Sequence, residues 1–460
     1  MNHSPSAGGP PVGEQAGARS LEQRLAAHPP LRRRVEALLD IVEQDIVSGC
    51  TADEAETHVR EQLRVLGQES LQHWAEGANA QAEADLRAQH PQARAHRKKK
   101  LHWQSTYGLI AVLETELRLG RAGPLTRPFC QRAQISPCGY STLLQRAITD
   151  FGAEEAFGQI NGRLHEHYGI TVPTSSARQI TLRHARQAQA LRVTTPAPPA
   201  IEQVITEIDG SLVPLVEPTA PVGAGAQDRR RQKRLFWKEV RLCAAIAVGR
   251  TRPCYGATLG TTVEAGLLWE QTAQRVGVGP HSRVHGVGDG AEWIAEQFAL
   301  RFGAQGRYLV DFYHASEYLA AAAVACARRD PQAWRQRQQR RLKTNQLDAV
   351  LAALTPHVEP VPTAPPARHT NEASLTPVRD CERYLRKRRD QLDYAGALAA
   401  GLPIGSGLIE SGNRHVVQRR LKRPGAWWTE ANARAMVALR VQRANGDWSA
   451  YWQAIPNLHN

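Results

Sequence analysis

From Glu202 onward, apolar stretches of strand period come first in succession and then alternate with stretches of helical period. This order restricts the fold more than any other feature of the chain. Val204, Thr206 and Ile208 alternate ahead of Asp209-Gly210-Ser211, and Leu212 to Val216 continues apolar, so Asp209 is expected in a strand or at its end. Trp237 to Val248 reads as a buried strand through Val240, Leu242, Ala244, Ile246 and Val248. Val263 to Val276 then fits a helix, and Val284 to Gly288 a short strand stopping at Asp289-Gly290. Ile294 to Phe302 fits a helix, Tyr308 to Asp311 another short strand, and the stretch from about Ala315 through Ala322 a further helix. The pattern predicts an α/β fold, a mixed sheet covered by helices.

The N-terminal half reads differently. Residues 1–19 are rich in Gly, Pro and Ser and are expected to form a disordered tail. Residues 20–100 are expected to be helical, since Leu31, Val35, Leu38, Leu39, Val42 and Ile46, and then Ala55, Val59, Leu63 and Leu66, recur at helical spacing. A basic run, Arg94 to Lys100, precedes a hairpin expected within Trp103 to Leu119, with its turn near Tyr107-Gly108. There Leu113, Thr115, Leu117 and Leu119 alternate with Glu114, Glu116 and Arg118. After Gly139 the spacing is helical again, and a turn at Gly169 leads to a second helix capped at Thr174 or Ser175. Helix, glycine turn, helix fits a helix-turn-helix reader, and it fits a packed helical hairpin equally well. The second helix carries Arg178, Gln179, Thr181, Arg183 and His184, side chains that reach phosphates or base edges. Residues 101–193 are therefore read as a hairpin plus helix-turn-helix DNA-binding region, closed by a Pro-rich linker, Thr194 to Pro199.

Charge points the same way. The 58 Lys and Arg against 44 Asp and Glu leave a net charge of +14, which favours a polyanionic partner, although solvated arginine surfaces give the same balance. Seven scattered cysteines without a CxxC pair support neither a disulfide framework nor a thiolate zinc knuckle. The longest apolar run, Leu319 to Ala327, falls far short of the ~20 residues a membrane span needs. The first residues lack a signal-peptide pattern, so no membrane partner and a cytoplasmic location are expected.

Two aspartates, Asp209 and Asp289, thus fall at expected strand ends eighty positions apart, able to converge on one edge of a sheet. Glu410 supplies a third carboxylate, because the Gly405-Ser406-Gly407 turn should open a helix that carries it in its first turns, with Asn413 and Arg414 on the same face. Three carboxylates from separate elements suit two Mg (or Mn) ions and phosphodiester chemistry. Singly each acid has an ordinary structural reading, since Asp-Gly is a common turn and an early helical Glu opposes the helix dipole. Arg414, His415, Arg419, Arg420, Lys422 and Arg423 follow, a basic set suited to substrate phosphates, and Arg414 is also placed to pair with Glu410. Trp427-Trp428 fits either core packing or stacking on an extruded base, and Trp448 and Trp452 are read as packing residues.

Five segments carry a resemblance: EIDGSLVPLVE (207–217), RLFWKEVRL (234–242), GVGDGAEWI (286–294), LVDFYHASEYL (309–319) and GLPIGSGLIESGNRHVVQRRLKRPGAWW (401–428). Together they resemble bacterial insertion-sequence transposases of the ISKra type, in the DDE superfamily and distantly similar to Mutator-like enzymes. The resemblance implies an RNase H-like catalytic core beginning in residues 200–325, a helical insertion over 326–400, and a catalytic helix with C-terminal helices over 401–460. It implies an acidic triad at Asp209, Asp289 and Glu410, with Asp311 and His314 as rivals for a place in the site. The implied partners are double-stranded DNA, as element ends and target, and further copies of the chain, in a bacterial, nucleoid-associated setting. Related transposases often carry N-terminal cysteine pairs, whereas this chain keeps only Cys130 and Cys138, so an N-terminal zinc site is not expected. Two other readings share the same residues: a structure-selective nuclease of RNase H-like fold, and a domesticated copy that only binds element ends.

Overall fold

The computed structural model describes residues 19–136, 139–191, 198–219, 233–361 and 375–455. The expected disordered tail up to Ala18, most of the Pro-rich linker, most of the basic loop after Pro218, the later part of the Pro-rich break after Thr355, and Cys138 lie outside the described residues. The chain divides into two compact units, one built from residues up to 147 together with 161–173, the other from 148–160 and 174 onward. It is a mixed α/β protein with two mixed sheets.

In the first unit, helices Pro29–Ser48 and Ala52–Gln89 meet at a sharp break. Gly49 ends the first helix at φ 65°, a left-handed conformation that glycine adopts without a Cβ clash. Thr51 opens the second through a reciprocal capping box with Glu54. A four-stranded sheet follows: β1 (Ala93–Ser105), β2 (Gly108–Leu119), β3 (Leu125–Thr126) and β4 (Gly139–Tyr140), in the order β3-β2-β1-β4. The hairpin turn falls at Thr106-Tyr107, one residue before the Tyr107-Gly108 position expected.

Two expectations about the hairpin are corrected. The basic run Arg94–Lys100 does not precede the first strand. It is the first half of β1, paired with β2 except at His96, where the register shifts, because ladder hydrogen bonds come from the backbone and tolerate charged side chains that reach water. Nor does β2 divide into an apolar buried face and a polar open one: Leu113 is exposed, whereas Glu114 and Glu116 are buried along with Thr115 and Leu117. Burial of Glu114 is offset by donors from Arg127 Nε at 2.8 Å and Cys130 N at 2.9 Å, and Glu116 takes Arg97 and Lys99 at 2.8 Å each. Along β2, Gln68, Gln72 and Asn79 of the long helix donate to the carbonyls of Leu109, Ala111 and Leu113, satisfying backbone groups of a strand edge.

The second unit holds β5 (Gln203–Pro218), β6 (Lys233–Ala247), β7 (Cys254–Thr258), β8 (Arg283–Gly288) and β9 (Gly306–Val310), in the order β7-β6-β5-β8-β9. β6 runs antiparallel to both of its neighbours, β5 and β7, and β8 and β9 run parallel to β5. Strand period separates two cores. Val204 and Ile208 of β5 pack with Trp269 and Phe298 from helices Thr262–Arg275 and Glu292–Phe302. Val213 and Leu215 pack on the other side with Val417, Met436 and Leu439. Asp209 is not at a strand end: β5 runs on to Pro218, and Asp209 sits inside it opposite Leu242.

Helix Thr174–Ala190 belongs to this unit, because Leu182, Ala185 and Ala188 share one core with Met436 and Val437 of helix Glu430–Asn445. Between β9 and Leu402, helices Phe312–Cys326, Pro331–Lys343, Leu347–Leu354 and Pro377–Lys387 enclose a separate core around Leu319, Val350, Leu385 and Tyr394. No described helix is long and apolar enough to cross a membrane.

Candidate active site

Asp209, Asp289, Asp311, His314, Ser406 and Glu410 line one cavity of about 210 Å³. Asp209 comes from the middle of β5, Asp289 from the residue after β8, Asp311 from the residue after β9, and Glu410 from helix Gly407–Gly412. The three acids of the expected triad are therefore brought together, and Asp311 and His314 join them.

A ladder of hydrogen bonds ties β5 to the helix bearing Glu410. Ile409 N donates to Glu207 Oε2 at 2.7 Å, Asn413 Nδ2 to Asp209 Oδ2 at 2.8 Å, and Gln418 Nε2 to Ser211 Oγ at 3.3 Å. Residues 207, 209 and 211 share one face of a strand, whose side chains repeat every second residue. Their partners are four and then five residues apart, and the five-residue step falls where the helix widens into a π segment, Asn413–Gln418. The added residue keeps Gln418 facing the strand. Arg440, itself buried, donates to the carbonyls of His415 and Val416 in that widened turn.

Asp311 is 3 % exposed, and both of its oxygens are engaged by the protein. Oδ1 accepts from Tyr313 N at 2.6 Å and His314 N at 3.1 Å, capping helix Phe312–Cys326, and Oδ2 accepts from the Ser406 amide at 2.7 Å and the Ser406 hydroxyl. Phe312 N donates to Ile404 O at 2.8 Å, and His285 Nε2 to Pro403 O at 2.8 Å. These bonds fix the Pro-Ile-Gly-Ser-Gly loop that presents Glu410. Asp311 thus positions the loop, and His314 lies at the cavity wall between Glu317, 3.4 Å away, and the rings of Tyr318 and Tyr384.

The Asp289 loop is held from the helical segment. Tyr384 Oη donates to Asp289 O at 2.7 Å, Arg388 Nε donates to Gly290 O at 2.7 Å, and the Arg388 guanidinium lies 3.9 Å from the centre of the Tyr384 ring. Gly290 has φ 83°, and a Cβ there would stand 2.5 Å from Arg388 Nε, so both the conformation and the close approach call for glycine. The Asp289 side chain accepts from Ala291 N at 2.8 Å, which turns the chain into the next helix.

Burial and facing carboxylates shape the electrostatics. Burial pushes Asp209 up to about 6 against the pull of the Gly210 amide, and Asp289, Glu239 and Glu410 add repulsion. Glu207, 1 % exposed, is pushed up to about 8, chiefly by burial. Sequence reasoning missed Glu207. Its only signal was a second acid two positions before Asp209, on the same strand face.

Carboxylate oxygens are the donor type that Mg and Mn take. As the side chains stand, no group of three or more His, Cys, Asp or Glu among the described residues is arranged to hold a metal ion.

The expected DNA-contacting residues divide. Arg178 and Gln179 are exposed and Arg183 is half-buried, while Thr181 and His184 of the same helix are core, with His184 bonded to Tyr451 Oη at 3.0 Å. Near the site Arg414, Arg419 and Lys422 are exposed, and Arg423 pairs with Glu155 at 3.0 Å. Arg420, of the same expected set, is buried: it is 2 % exposed, donates to Gly152 O at 3.0 Å, and lies 4.7 Å from the ring centres of both Phe157 and Trp428. A guanidinium buried beside two rings in this way packs in the core and is not presented to solvent. The tryptophan pair also divides, with Trp428 in the core and Trp427 exposed beside Lys233.

Residues 278–453 match the profile of an uncharacterised protein family (UPF0236). The matched stretch contains Asp289, Asp311 and Glu410 and begins after Asp209. No curated protein matches the chain.

Proposed function

We propose that the chain is a DDE transposase of an insertion sequence, with an RNase H-like core in its second unit. The observation that carries the reading is that Asp209, Asp289 and Glu410, far apart in the chain, line one cavity at the edge where β5 and β8 lie side by side. The sheet supports it as well: three antiparallel strands followed by two parallel ones, with the long first strand central, is the topology expected of an RNase H-like core. So do the exposed bases Arg414, Arg419 and Lys422 that follow Glu410.

In this reading Asp209, Asp289 and Glu410 would hold two Mg (or Mn) ions, which when bound activate the attacking oxygen and stabilise the leaving one. Water opens the phosphodiester at the element end, and the released 3′ hydroxyl then attacks a target phosphodiester, so one bond forms for each bond broken. Asn413 orients Asp209, Asp311 fixes the loop in front of Glu410, and Tyr384 with Arg388 holds the Asp289 turn. Arg178 and Gln179 remain the exposed positions of the proposed helix-turn-helix. Acting on two element ends calls for a homo-oligomer.

The test is cleavage and joining of a labelled element-end duplex with Mg or Mn, by wild type and by Asp289→Asn. Metal-dependent cleavage and joined products that vanish in the variant support the reading. Cleavage without dependence on terminal repeats, and without joining, would replace it by a nuclease. Binding without cleavage by folded wild type would replace it by an end-binding protein.

A further inference from the structure

We propose that the basic half of β1 is a docking surface for the phosphate backbone of duplex DNA, separate from the acidic cavity. The proposal takes its partner from the reading above, and the two can fail independently. Arg94, His96, Arg97, Lys98, Lys99 and Lys100 fill all but one position of residues 94–100 on a single strand, and all but Lys99 are exposed. An exposed strand this cationic repels itself, and the fold neutralises only part of it. Glu116 takes Arg97 and Lys99. Among the described residues no acid forms an ion pair with Arg94, Lys98 or Lys100, and Glu83, the acid whose charge Lys98 meets, is already paired with Arg87 at 2.8 Å.

The geometry favours a duplex. Lys98 and Lys100 leave the same face of the ribbon, about 6.6–6.8 Å apart along the strand. A two-stranded ribbon also fits the ~12 Å major groove between two phosphate backbones. The hairpin is a firm platform for binding of this kind. β1 and β2 pair without interruption from Arg97 to Ser105, and the long helix braces the β2 backbone through Gln68, Gln72 and Asn79. The cations are therefore presented in a fixed line. The strand carries no acid from 94 to 100, which leaves the whole half-strand one sign of charge.

The experiment is fluorescence anisotropy of a labelled random-sequence duplex with the full-length chain, without divalent metal, across a series of salt concentrations. Wild type, Lys98→Glu/Lys100→Glu and Lys98→Arg/Lys100→Arg are compared, with melting curves for each. The charge reversal is expected to weaken binding about tenfold or more and to lower the log–log salt slope by about 1.8, or about 0.9 for each phosphate no longer neutralised. The arginine variant should keep wild-type affinity. Unchanged affinity and slope in a folded reversal variant would overturn the proposal, as would tighter binding of single-stranded RNA than of duplex. If the reversal variant misfolds, Arg94→Gln/Lys100→Gln is the second arm, and unchanged binding there overturns the proposal equally. Loss of binding in these variants alongside a wild type that cuts nothing would keep this inference and sink the transposase reading.

Discussion

Asn413 donates through Nδ2 to Asp209 Oδ2 at 2.8 Å, joining residues 204 positions apart. The amide is 3 % exposed and offers Asp209 a donor without a charge, in a cavity where every other nearby carboxylate repels it. Asn413→Asp replaces that donor by a further acid. The variant should lose more stability at about pH 8 than at about pH 5, because the two carboxylates repel only when both are ionised. Chemical denaturation at the two pH values checks this, and an equal loss at both would show that the pair does not set this stability.

Glu207 gives the second pH signature. Its carboxyl is raised from 4.5 to about 8, so the folded state keeps a proton that the unfolded chain releases between those values. The stability linked to this group is present below about pH 4.5 and is lost as the pH rises through 8. Glu207→Gln keeps an acceptor for the Ile409 amide and removes the titration. It should be more stable than wild type above about pH 8, by on the order of a few kcal/mol, and converge with it below about pH 5. Parallel melting curves across that range would contradict the assignment.

Arg420 separates packing from DNA contact. Burial brings its guanidinium down to about 10, and its neighbours are the rings of Phe157 and Trp428. Arg420→Ala should cost on the order of 2–4 kcal/mol of stability. The exposed neighbour Lys422→Ala should leave the melting temperature within about a degree of wild type. Thermal melts of the two variants decide the matter, and a neutral Arg420→Ala would return this residue to those proposed to contact DNA.

Gly290→Ala tests the clamp on the Asp289 loop. The substitution combines a left-handed backbone, φ 83°, with a methyl 2.5 Å from Arg388 Nε and 2.9 Å from Tyr384 Oη. A loss of about 1–3 kcal/mol is expected, together with loss of any metal-dependent cleavage the wild type displays. Retention of both would mean that the loop has room to move.

Most of the second unit is legible in the sequence because its strands alternate and its helices keep a 3.6-residue spacing. Val204 and Ile208 mark β5, and Tyr308 to Val310 marks β9. Asp289 after β8 could be read in the same way, since Asp-Gly ends the run. What escaped depended on chain brought in from afar. Nothing beside Glu207 announces its burial, which comes from Ile409 two hundred and two positions later. Arg420 reads as one more cation in a basic run until Phe157 and Trp428 enclose it. The strand half Arg94–Lys100 has no apolar alternation, so its pairing with β2 leaves no pattern to read.

The supports of the three aspartates lie late in the chain. Asp209, Asp289 and Asp311 depend on Asn413, on Tyr384 and on Ser406, respectively. During synthesis on the ribosome all three acids emerge well before any of those partners. A nascent chain halted ahead of Asn413 carries its aspartates without the amide that seats Asp209. The site is therefore assembled only once Asn413 has been made, and a product truncated before it has the aspartates without the groups that hold them.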